Sequence, residues 1–234
     1  MRFLVGTSGY SYKEWKGTFY PERLPASEML RFYAGCFQTV EINNTFYRMP
    51  AESMLARWAE ETAGNFTFTL KAPRRITHDK RLRDAETELA EFARRAQVLG
   101  DKLGVLLFQL PPYLRKDLPR MRDFLAAVPT GTRVALEFRH PSWQDDEVYE
   151  ALRARAALLC VTDTDASETP FVATSDWGYL RLRKTHYEEA ELRAWVERIA
   201  AQRLARTYVY FMHEDEATRF ATTMNELWRR RSGP

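Results

Sequence analysis

The feature that most constrains the fold of this chain is a regular alternation of short apolar runs with longer stretches of helical periodicity. The runs are rich in β-branched residues, and most intervening stretches carry apolar residues at three- and four-residue spacing. This alternation predicts βα units around a parallel sheet, and eight such units make a TIM-type (β/α)8 barrel, here one domain over residues 1–234. The strand candidates are Phe3–Thr7, Thr39–Asn43, Thr67–Lys71, Leu103–Gln109, Arg133–Phe138, Ala157–Asp163, Trp177–Arg183 and Thr207–Met212.

Helix signals lie between most of these strands. Leu89, Phe92 and Ala96 form one apolar stripe, and Gly100 follows it as a helix-ending residue. The segment 164–176 has no such stripe, so the unit between the sixth and seventh strands is predicted to lack its helix. A doubly wound open sheet is the alternative fold, although no Gly-x-Gly-x-x-Gly motif follows the first strand.

Polar residues stand at the carboxyl ends of nearly all the predicted strands. Strands covered on both faces should be apolar there, and side chains alternate between the faces, so residues two apart share one face. We therefore predict that these side chains point into the lumen and form one pocket at the carboxyl-terminal rim. An internal ion-pair network that only satisfies the lumen is the alternative. The residues are Glu41, Asn43, Lys71, Gln109, Glu137, Arg139, Asp163, Arg181 and Arg183.

The charged members of this set allow two kinds of chemistry. Lys71, Arg139 and Arg181 can clamp a phosphate or a carboxylate, and this is the interpretation we favour. Glu41 and Glu137 can form an acid/base pair, with a neighbouring cation deciding which of them is ionised. Glu41, Glu137 and Lys71 are thus the catalytic candidates. The candidates for substrate binding from this set are Asn43, Gln109, Arg139, Asp163 and Arg181.

A divalent metal is a less favoured reading of the same pocket. Glu41, Glu137 and Asp163, with His140 or His213, offer oxygen and imidazole ligands. No tight ligand spacing such as His-x-x-x-His occurs, so we assign no cofactor. His140 is retained as a substrate-binding candidate.

Aromatic residues cluster beside the polar strand ends. Tyr10 and Trp15 follow the first strand, Tyr47 follows the second, and Trp143 follows the fifth. Flat rings beside cations suit stacking on a nucleobase or a sugar, which makes these four residues binding candidates. The alternative is that they seal the mouth of the barrel as core.

The charge balance limits the partners of the chain. Its 35 basic and 32 acidic residues leave a net charge of +3. This charge is too small to favour binding of nucleic acid through the outer surface. Most basic residues are arginine, which is compatible with a small anionic ligand. A partner of that kind is favoured, nucleic acid is weakly supported, and the oligomeric state is left open.

The cellular compartment is predicted from the signal-peptide and membrane-span patterns, which the sequence does not show. No signal-peptide pattern precedes Thr7, and no run of about 18 apolar residues predicts a membrane span. Cys36 and Cys160 share no metal-ligand spacing, and we predict that both are reduced and buried. We expect a cytoplasmic protein with no membrane partner.

Several motifs in this order resemble one family over almost the whole chain, domain of unknown function 72, the YecE-like proteins. The resemblance implies a barrel similar to those of xylose-isomerase-like and endonuclease-IV-like proteins, and it implies no established substrate, cofactor or catalytic residue. The motifs are Gly6-Thr7-Ser8-Gly9-Tyr10 with Trp15 and Phe19-Tyr20-Pro21, Val40-Glu41-Ile42-Asn43-Asn44-Thr45-Phe46-Tyr47, Lys71, Gln109-Leu110-Pro111-Pro112, and Glu137-Phe138-Arg139-His140-Pro141-Ser142-Trp143.

The chain departs from the family pattern at two places on the rim. After the seventh strand the family tends to have Arg-x-His-Gly, whereas this chain has Arg181-Leu182-Arg183-Lys184. After the eighth strand the family tends to have Phe-Asn-Asn, whereas this chain has Phe211-Met212-His213. The pocket of this chain is therefore expected to differ in charge from those of its relatives.

Three functions are compatible with these residues. The first is an enzyme that acts on a phosphate-bearing or nucleic-acid substrate. The second is a non-catalytic binder of a small anionic ligand or nucleic acid, using the same cationic clamp. The third is a sugar isomerase or glycoside hydrolase that uses Glu41 and Glu137 as paired glutamates.

Overall fold

The computed structural model describes residues 1–212 and 215–232, and it confirms the predicted TIM-type barrel. Eight parallel strands form one sheet in the order β1-β8-β7-β6-β5-β4-β3-β2. His213, one of the predicted metal ligands, lies outside the described residues. The strands are β1 Arg2–Thr7, β2 Thr39–Ile42, β3 Thr67–Lys71, β4 Leu103–Gln109, β5 Val134–Glu137, β6 Leu158–Asp163, β7 Trp177–Leu182 and β8 Arg206–Phe211.

Helices follow the strands on the outside of the barrel, except after β6. The segment 164–176 contains no helix, as predicted, and it folds back on β6 through a bridge between Asp163 and Glu168. Among the described residues, no helix combines the length and the apolar character that a membrane span needs. The α-helices are α1 Met29–Cys36, α2 Glu52–Glu61, α3 Glu86–Ala96, α4 Leu118–Ala127, α5 Asp146–Ala154, α6 Glu189–Ala201 and α7 Ala217–Ser232.

The main core lies between the sheet and the helices. Phe108 of β4 is typical, since its ring meets Phe92 of α3 at 6.3 Å and Phe124 of α4 at 5.0 Å between centroids. Alternation along each strand sends such residues outward and leaves the others for the lumen. Burial of the outward apolar surface, worth about 25 cal/mol per Å², supplies the main driving force for the fold.

A second, smaller core fills the lumen. It includes Tyr179, Tyr208 and Tyr210, together with aliphatic residues from other strands. At the amino-terminal end the ring of Trp177 lies between two guanidinium groups, at 3.6 Å from Arg133 and 4.2 Å from Arg206. The described residues therefore pack the lower lumen with side chains.

The barrel closes where β1 meets β2. Ser8 and Glu41 form an isolated parallel bridge, and the Gly9 amide donates to the Glu41 carbonyl oxygen at 2.7 Å. The Tyr33 hydroxyl also joins the two strands, because it accepts from the Thr7 amide at 2.8 Å and donates to the Thr39 carbonyl at 3.1 Å. Closure at this junction thus depends on a close backbone approach and on side chains.

Some expectations are corrected by the structure. β2 ends at Ile42 because the chain turns into a 3-10 helix, Asn44–Phe46, and β5 ends at Glu137 because the chain leaves the sheet before another short turn, Pro141–Trp143. Both cysteines are free thiols, but only Cys160 is buried. The prediction of a buried Cys36 is wrong, since the last turn of α1 leaves it exposed.

Gly6 should be essential for closure between β1 and β2. A Cβ atom there would lie 2.1 Å from the Thr39 carbonyl oxygen and 2.8 Å from the Tyr33 hydroxyl. We expect Gly6→Ala to lower the free energy of unfolding by about 1–3 kcal/mol, the usual cost of an overpacked core, as measured by urea denaturation.

Gly35→Ala is the matched control, because a Cβ atom at this position in α1 meets nothing within 4 Å. Replacement of a glycine inside a helix by alanine should raise the free energy of unfolding by about 0.5–1 kcal/mol. Equal stability of the two variants would contradict the role assigned to Gly6.

Candidate functional site

Arg181 is the centre of the polar cluster at the carboxyl end of the barrel. Its Nη2 donates to Glu41 Oε1 at 2.9 Å, and its Nη1 donates to Glu137 Oε2 at 2.5 Å. The three side chains are almost completely buried, with 2%, 0% and 1% exposure. Strand alternation turns each of them into the lumen, as predicted, so one guanidinium joins β2, β5 and β7.

Glu137 is surrounded by donors. Its Oε1 accepts from Gln109 Nε2 at 2.7 Å and from Arg139 Nε at 3.1 Å, and Arg183 Nη1 lies 3.4 Å away. Burial opposes the ionisation of this carboxyl, but the three surrounding guanidinium groups outweigh it and hold the pKa of Glu137 well below its usual range. Glu137 is therefore a fixed anion at neutral pH.

Glu41 is equally well satisfied by its neighbours. Its Oε1 accepts from the Ser8 hydroxyl at 2.8 Å as well as from Arg181, and its Oε2 accepts from the Tyr179 hydroxyl at 2.5 Å. Burial and then the negative charge of Glu41 raise the pKa of Tyr179 well above its usual range, so the phenol stays a donor. The carboxylate of Glu41 is held from β1 and β7 at once.

The cluster has more positive than negative charge. Two carboxylates face four cations, because Arg139 and Arg183 line the cavity beside the buried Arg181 pairs and Lys71 is close enough to act on their charges. Burial and then the charge of Arg181 lower the pKa of Arg183, although Glu137 and Glu41 act in the opposite direction. A buried cationic excess of this kind favours an anion beside it.

A cavity of about 550 Å³ opens directly above Glu137. Arg139 and His140 line one side, after β5, and Arg183 lines another, after β7. The end of β6 and the loop that follows it provide a further part of the lining, which includes Glu168, a carboxylate paired with Arg198. The hydroxyl-bearing residues of this part are Thr162, Thr164, Ser167 and Thr169.

Lys71 stands at the end of β3, beside this cluster. Its Nζ lies 4.3 Å from the centre of the Phe46 ring, and among the described residues it makes no ion pair. Burial, reinforced by the charge of Arg181, lowers the pKa of Lys71 to about 8, although Glu137 and Glu41 act in the opposite direction. A large fraction of this amine is therefore neutral near pH 8.

Three predicted site residues do not reach the lumen. Asp163 lies on the outer face of β6, where it accepts from Trp195 Nε1 of α6 at 3.1 Å. Trp143 is buried with its Nε1 donating to the Leu114 carbonyl at 2.7 Å. Trp15 is also buried, so these side chains act as core and as a helix anchor. Their prediction as pocket residues is corrected on this geometry.

The other predicted aromatic residues lie apart from the cluster. Tyr47 is 80% exposed and meets Phe46 edge to face. Tyr10 and Asn43 line a separate cavity of about 220 Å³ between the ends of β1 and β2, and Asn43 Oδ1 is buried with no hydrogen-bond partner among the described residues. The cavity at Arg139 and the Tyr10 cavity are thus two separate spaces, with no lining residue in common.

His140 has a defined orientation on the cavity wall. Its Nδ1 accepts from the Ser142 amide at 3.1 Å and so caps the short turn Pro141–Trp143, which leaves Nε2 as the protonated nitrogen of the neutral ring. Within residues 1–212 and 215–232, no three His, Cys, Asp or Glu side chains are placed to hold a metal. The carboxylates predicted as metal ligands are instead paired with Arg181 or turned to α6.

Two residues of the cluster escaped the sequence analysis as site residues. Ser8 and Tyr179 both bind the Glu41 carboxylate. Tyr179 stands two residues before Arg181 on β7, so the same alternation that places Arg181 in the lumen also places Tyr179 there. That spacing was the available signal.

Together these features define a TIM-type barrel whose carboxyl end carries a buried ion-pair cluster below a cationic cavity. A family model described as "Protein of unknown function DUF72" matches residues 4–233. The chain belongs to this family, and the resemblance in its motifs is confirmed.

Two curated relatives are similar over part of their length. UPF0759 protein YecE of Escherichia coli strain K12 is 34% identical over 115 residues, which cover 49% of this chain and 42% of that protein. UPF0759 protein YunF of Bacillus subtilis strain 168 is 27% identical over 162 residues, which cover 62% of this chain and 54% of that protein. The chain spans about half the length of the curated relatives it matches.

Solved structures share the fold. A DUF72 family protein from Thermotoga maritima superimposes with a TM-score of 0.85 and 27% identity, covering 97% of this chain and 99% of that one. A DUF72 family protein from Enterococcus faecalis V583 gives 0.80 and 16% identity, covering 97% and 95%. A methyltransferase from Methanosarcina mazei gives 0.59 and 8% identity over 99% of this chain and 94% of that one, which is a likeness of fold alone.

Removal of the Glu137 charge should destabilise the protein in a pH-dependent way. Glu137→Gln leaves three guanidinium groups without their shared anion, and we expect a loss of about 3–5 kcal/mol at neutral pH. Because the folded-state pKa lies below the ordinary 4.5, this contribution is complete above about pH 4.5 and is lost as the pH falls further. The difference between wild type and variant should therefore narrow in acid, as measured by chemical denaturation.

Glu189→Gln is the control, because Glu189 pairs with Arg193 on the exposed face of α6. An exposed pair is worth about 0–1 kcal/mol. If the difference in unfolding free energy between wild type and Glu137→Gln stays constant from about pH 7 to about pH 3.5, the depressed pKa of Glu137 is contradicted.

Proposed function

We propose that the carboxyl end of the barrel binds a small ligand with a phosphate or carboxylate group, held between Arg139 and Arg183. The observation that carries this proposal is the sharing of Glu137 by three guanidinium groups, two of which line the cavity. A second anion would complete the pairing of these two arginines. Phosphate and carboxylate fit best, since their oxygens accept two parallel hydrogen bonds from one guanidinium.

The spare donors of the two arginines point to the same ligand. Arg139 contacts Glu137 through Nε and Arg183 does so through a single Nη1, so both retain further N–H groups. Arg139 is 35% exposed at its side chain and Arg183 is 20% exposed, which makes both accessible from the cavity. Partial burial also makes their attraction for an anion stronger than it would be in water.

Neutral donors around the cavity suit an anion as well. In the neutral His140 ring Nε2 carries the proton, and of the Thr162 and Thr169 hydroxyls, which share one hydrogen bond of 2.7 Å, one retains its proton for a ligand. A volume of about 550 Å³ lies in the range of small-molecule sites. We therefore place a small metabolite ahead of a nucleic-acid duplex as the ligand.

The paired glutamates are less suited to acid/base work. Each carboxylate of Glu41 and Glu137 already accepts several hydrogen bonds from neighbouring side chains, and Arg181 stands between them. A glycoside hydrolase needs one carboxyl group that gives up a proton to the substrate. This arrangement supports ligand binding over the sugar isomerase or hydrolase hypothesis, and catalysis on the bound anion is a separate proposal.

The proposal predicts specific losses of affinity. Arg139→Met and Arg183→Met should each weaken the binding of inorganic phosphate about tenfold, because each removes charge-assisted hydrogen bonds to the anion. Both variants should fold, since Arg181 keeps Glu137 paired. Isothermal calorimetry measures the affinity, and phosphate at about 100 times its Kd should stabilise the wild type by about 2.7 kcal/mol.

Arg193→Met serves as the matched control, because Arg193 is an exposed arginine on α6. It should bind phosphate as the wild type does. Equal affinities of all three variants, or no stabilisation of the wild type by phosphate, sulfate or sugar phosphates, would overturn the proposal. Conversion of a bound sugar phosphate, followed by ³¹P NMR, would identify an enzyme instead of a binder.

A further inference from the structure

We propose that Lys71 is a nucleophile that forms an imine with the carbonyl group of an anionic aldehyde or ketone. The anionic half of this ligand would be the group bound by Arg139 and Arg183, and in this respect the inference rests on the proposed function. The reactive half would lie toward the end of β3, where Lys71 enters the same rim.

The backbone of Lys71 is firmly held. The Thr45 hydroxyl is 2.6 Å from the Lys71 carbonyl oxygen and 3.1 Å from the Ile42 carbonyl oxygen, so it ties the end of β3 to the end of β2. The next amide, that of Ala72, donates to the Leu107 carbonyl at 2.8 Å. A side chain that begins from such a fixed point on a strand can be aimed accurately at a ligand.

The amino group itself is free of acidic partners. Among the described residues, Nζ of Lys71 meets the face of Phe46 and makes neither an ion pair nor a hydrogen bond. The side chain is only partly exposed; the charge of Arg181 opposes its ammonium form, the charges of Glu137 and Glu41 favour it, and that of Arg139 opposes it. An ammonium group that is largely removed from water and contacts no acceptor atom is costly, and loss of its proton removes that cost.

Other lysines of the chain are placed differently. The chain has seven lysines. Lys13 and Lys16 lie in the segment between β1 and α1, and four others are bound by carboxylate or carbonyl oxygens. An ammonium bound to an oxygen acceptor keeps its proton and reacts slowly with carbonyl compounds. The four oxygen-bound lysines are Lys80, Lys102, Lys116 and Lys184.

The protonation state agrees with this geometry. Burial, and then the charge of Arg181, lowers the pKa of Lys71 to about 8, whereas an ordinary lysine has a value of 10.5. The reactive free base is thus about half of Lys71 at pH 8 and well under one per cent of an ordinary lysine. His78 stands nearby, and burial followed by the charge of Lys71 lowers its pKa, so the ring is neutral at pH 8 and adds no charge beside Lys71.

The reaction is balanced without an oxidant or a cofactor. The lone pair of neutral Nζ attacks the carbonyl carbon, the C=O π bond opens, and proton transfer gives a carbinolamine. Loss of one water molecule then forms the C=N bond of the imine, and protonation of the imine nitrogen makes it an electron sink for the adjacent carbon. A class of reaction that makes or breaks a bond at that carbon could follow.

The test is reductive labelling with glyoxylate, which carries an aldehyde beside a carboxylate. The whole chain is incubated with glyoxylate and cyanoborohydride, whose hydride reduces the imine to a stable secondary amine, and the labelled lysines are located by peptide mass spectrometry. We expect Lys71 to react about tenfold faster than Lys13 or Lys16 at pH 8. The labelling rate should rise with pH through about 8, where half of Lys71 is free base, and level off about one unit above that value.

Glycolaldehyde is the neutral counterpart of similar size. We expect Lys71 to prefer glyoxylate over glycolaldehyde, and Arg139→Met to remove this preference while the labelling by glycolaldehyde persists. Lys71→Arg should lose the fast site, whereas Lys116→Arg should retain it, because the Lys116 ammonium is held by Asp145 and Glu147.

The outcomes separate the two proposals. Labelling of Lys71 no faster than that of Lys13 and Lys16 would overturn the nucleophile, whatever phosphate does in calorimetry. Fast labelling of Lys71 by both aldehydes alike would support the nucleophile and overturn the anionic half of its ligand. A glyoxylate preference that survives Arg139→Met and Arg183→Met would overturn the assignment of the anion to these arginines.

Discussion

The guanidinium group of Arg181 is the interaction on which the upper half of the barrel depends. It lies between two carboxylates from strands on opposite parts of the sheet, at 2.9 Å from Glu41 and 2.5 Å from Glu137. Removal of any of the three groups would leave a buried charge uncompensated, at a cost of several kcal/mol. The fork of one arginine therefore fixes the relative positions of β2, β5 and β7.

The lumen is built in layers above one another. Trp177 between two arginines closes the amino-terminal end, tyrosines fill the middle, and the carboxylates bound to Arg181 lie above them. The Tyr179 hydroxyl joins the second of these layers to the third through Glu41. Because the packed layers exclude water below the cluster, the charges at the rim act through a medium of low dielectric constant. This is why a few partly exposed cations there can dominate the cavity.

Much of this architecture could be predicted from the sequence, because strand alternation is a strong physical rule. It placed Glu41, Glu137 and Arg181 on the lumenal face, and the missing stripe in 164–176 revealed the absent helix. The same rule failed at Asp163, since periodicity alone cannot tell which of two alternating faces is the lumenal one. The neighbouring Cys160 in the inner core settles that choice only once the strands are paired.

Aromatic residues and local charge were harder to predict. Trp15 and Trp143 occur beside polar motifs, yet both are core, because a large ring can seal a barrel mouth as readily as it can stack on a ligand. The lowered pKa of Lys71 depends on burial and on Arg181, which is 110 residues away in the chain. No local pattern in the sequence encodes such a distance.

The charged residues near the rim fall into two groups that differ in how far they can be substituted without loss of the fold. Glu41 serves the junction with its backbone carbonyl and the ion-pair cluster with its side chain, so any replacement there alters closure and charge together. Arg139 and Arg183 take no part in closing the barrel, since each follows the end of a strand and lines the cavity. Descendants of this chain could therefore acquire new ligand preferences by altering the rim, while the buried ion pairs preserve the barrel that presents it.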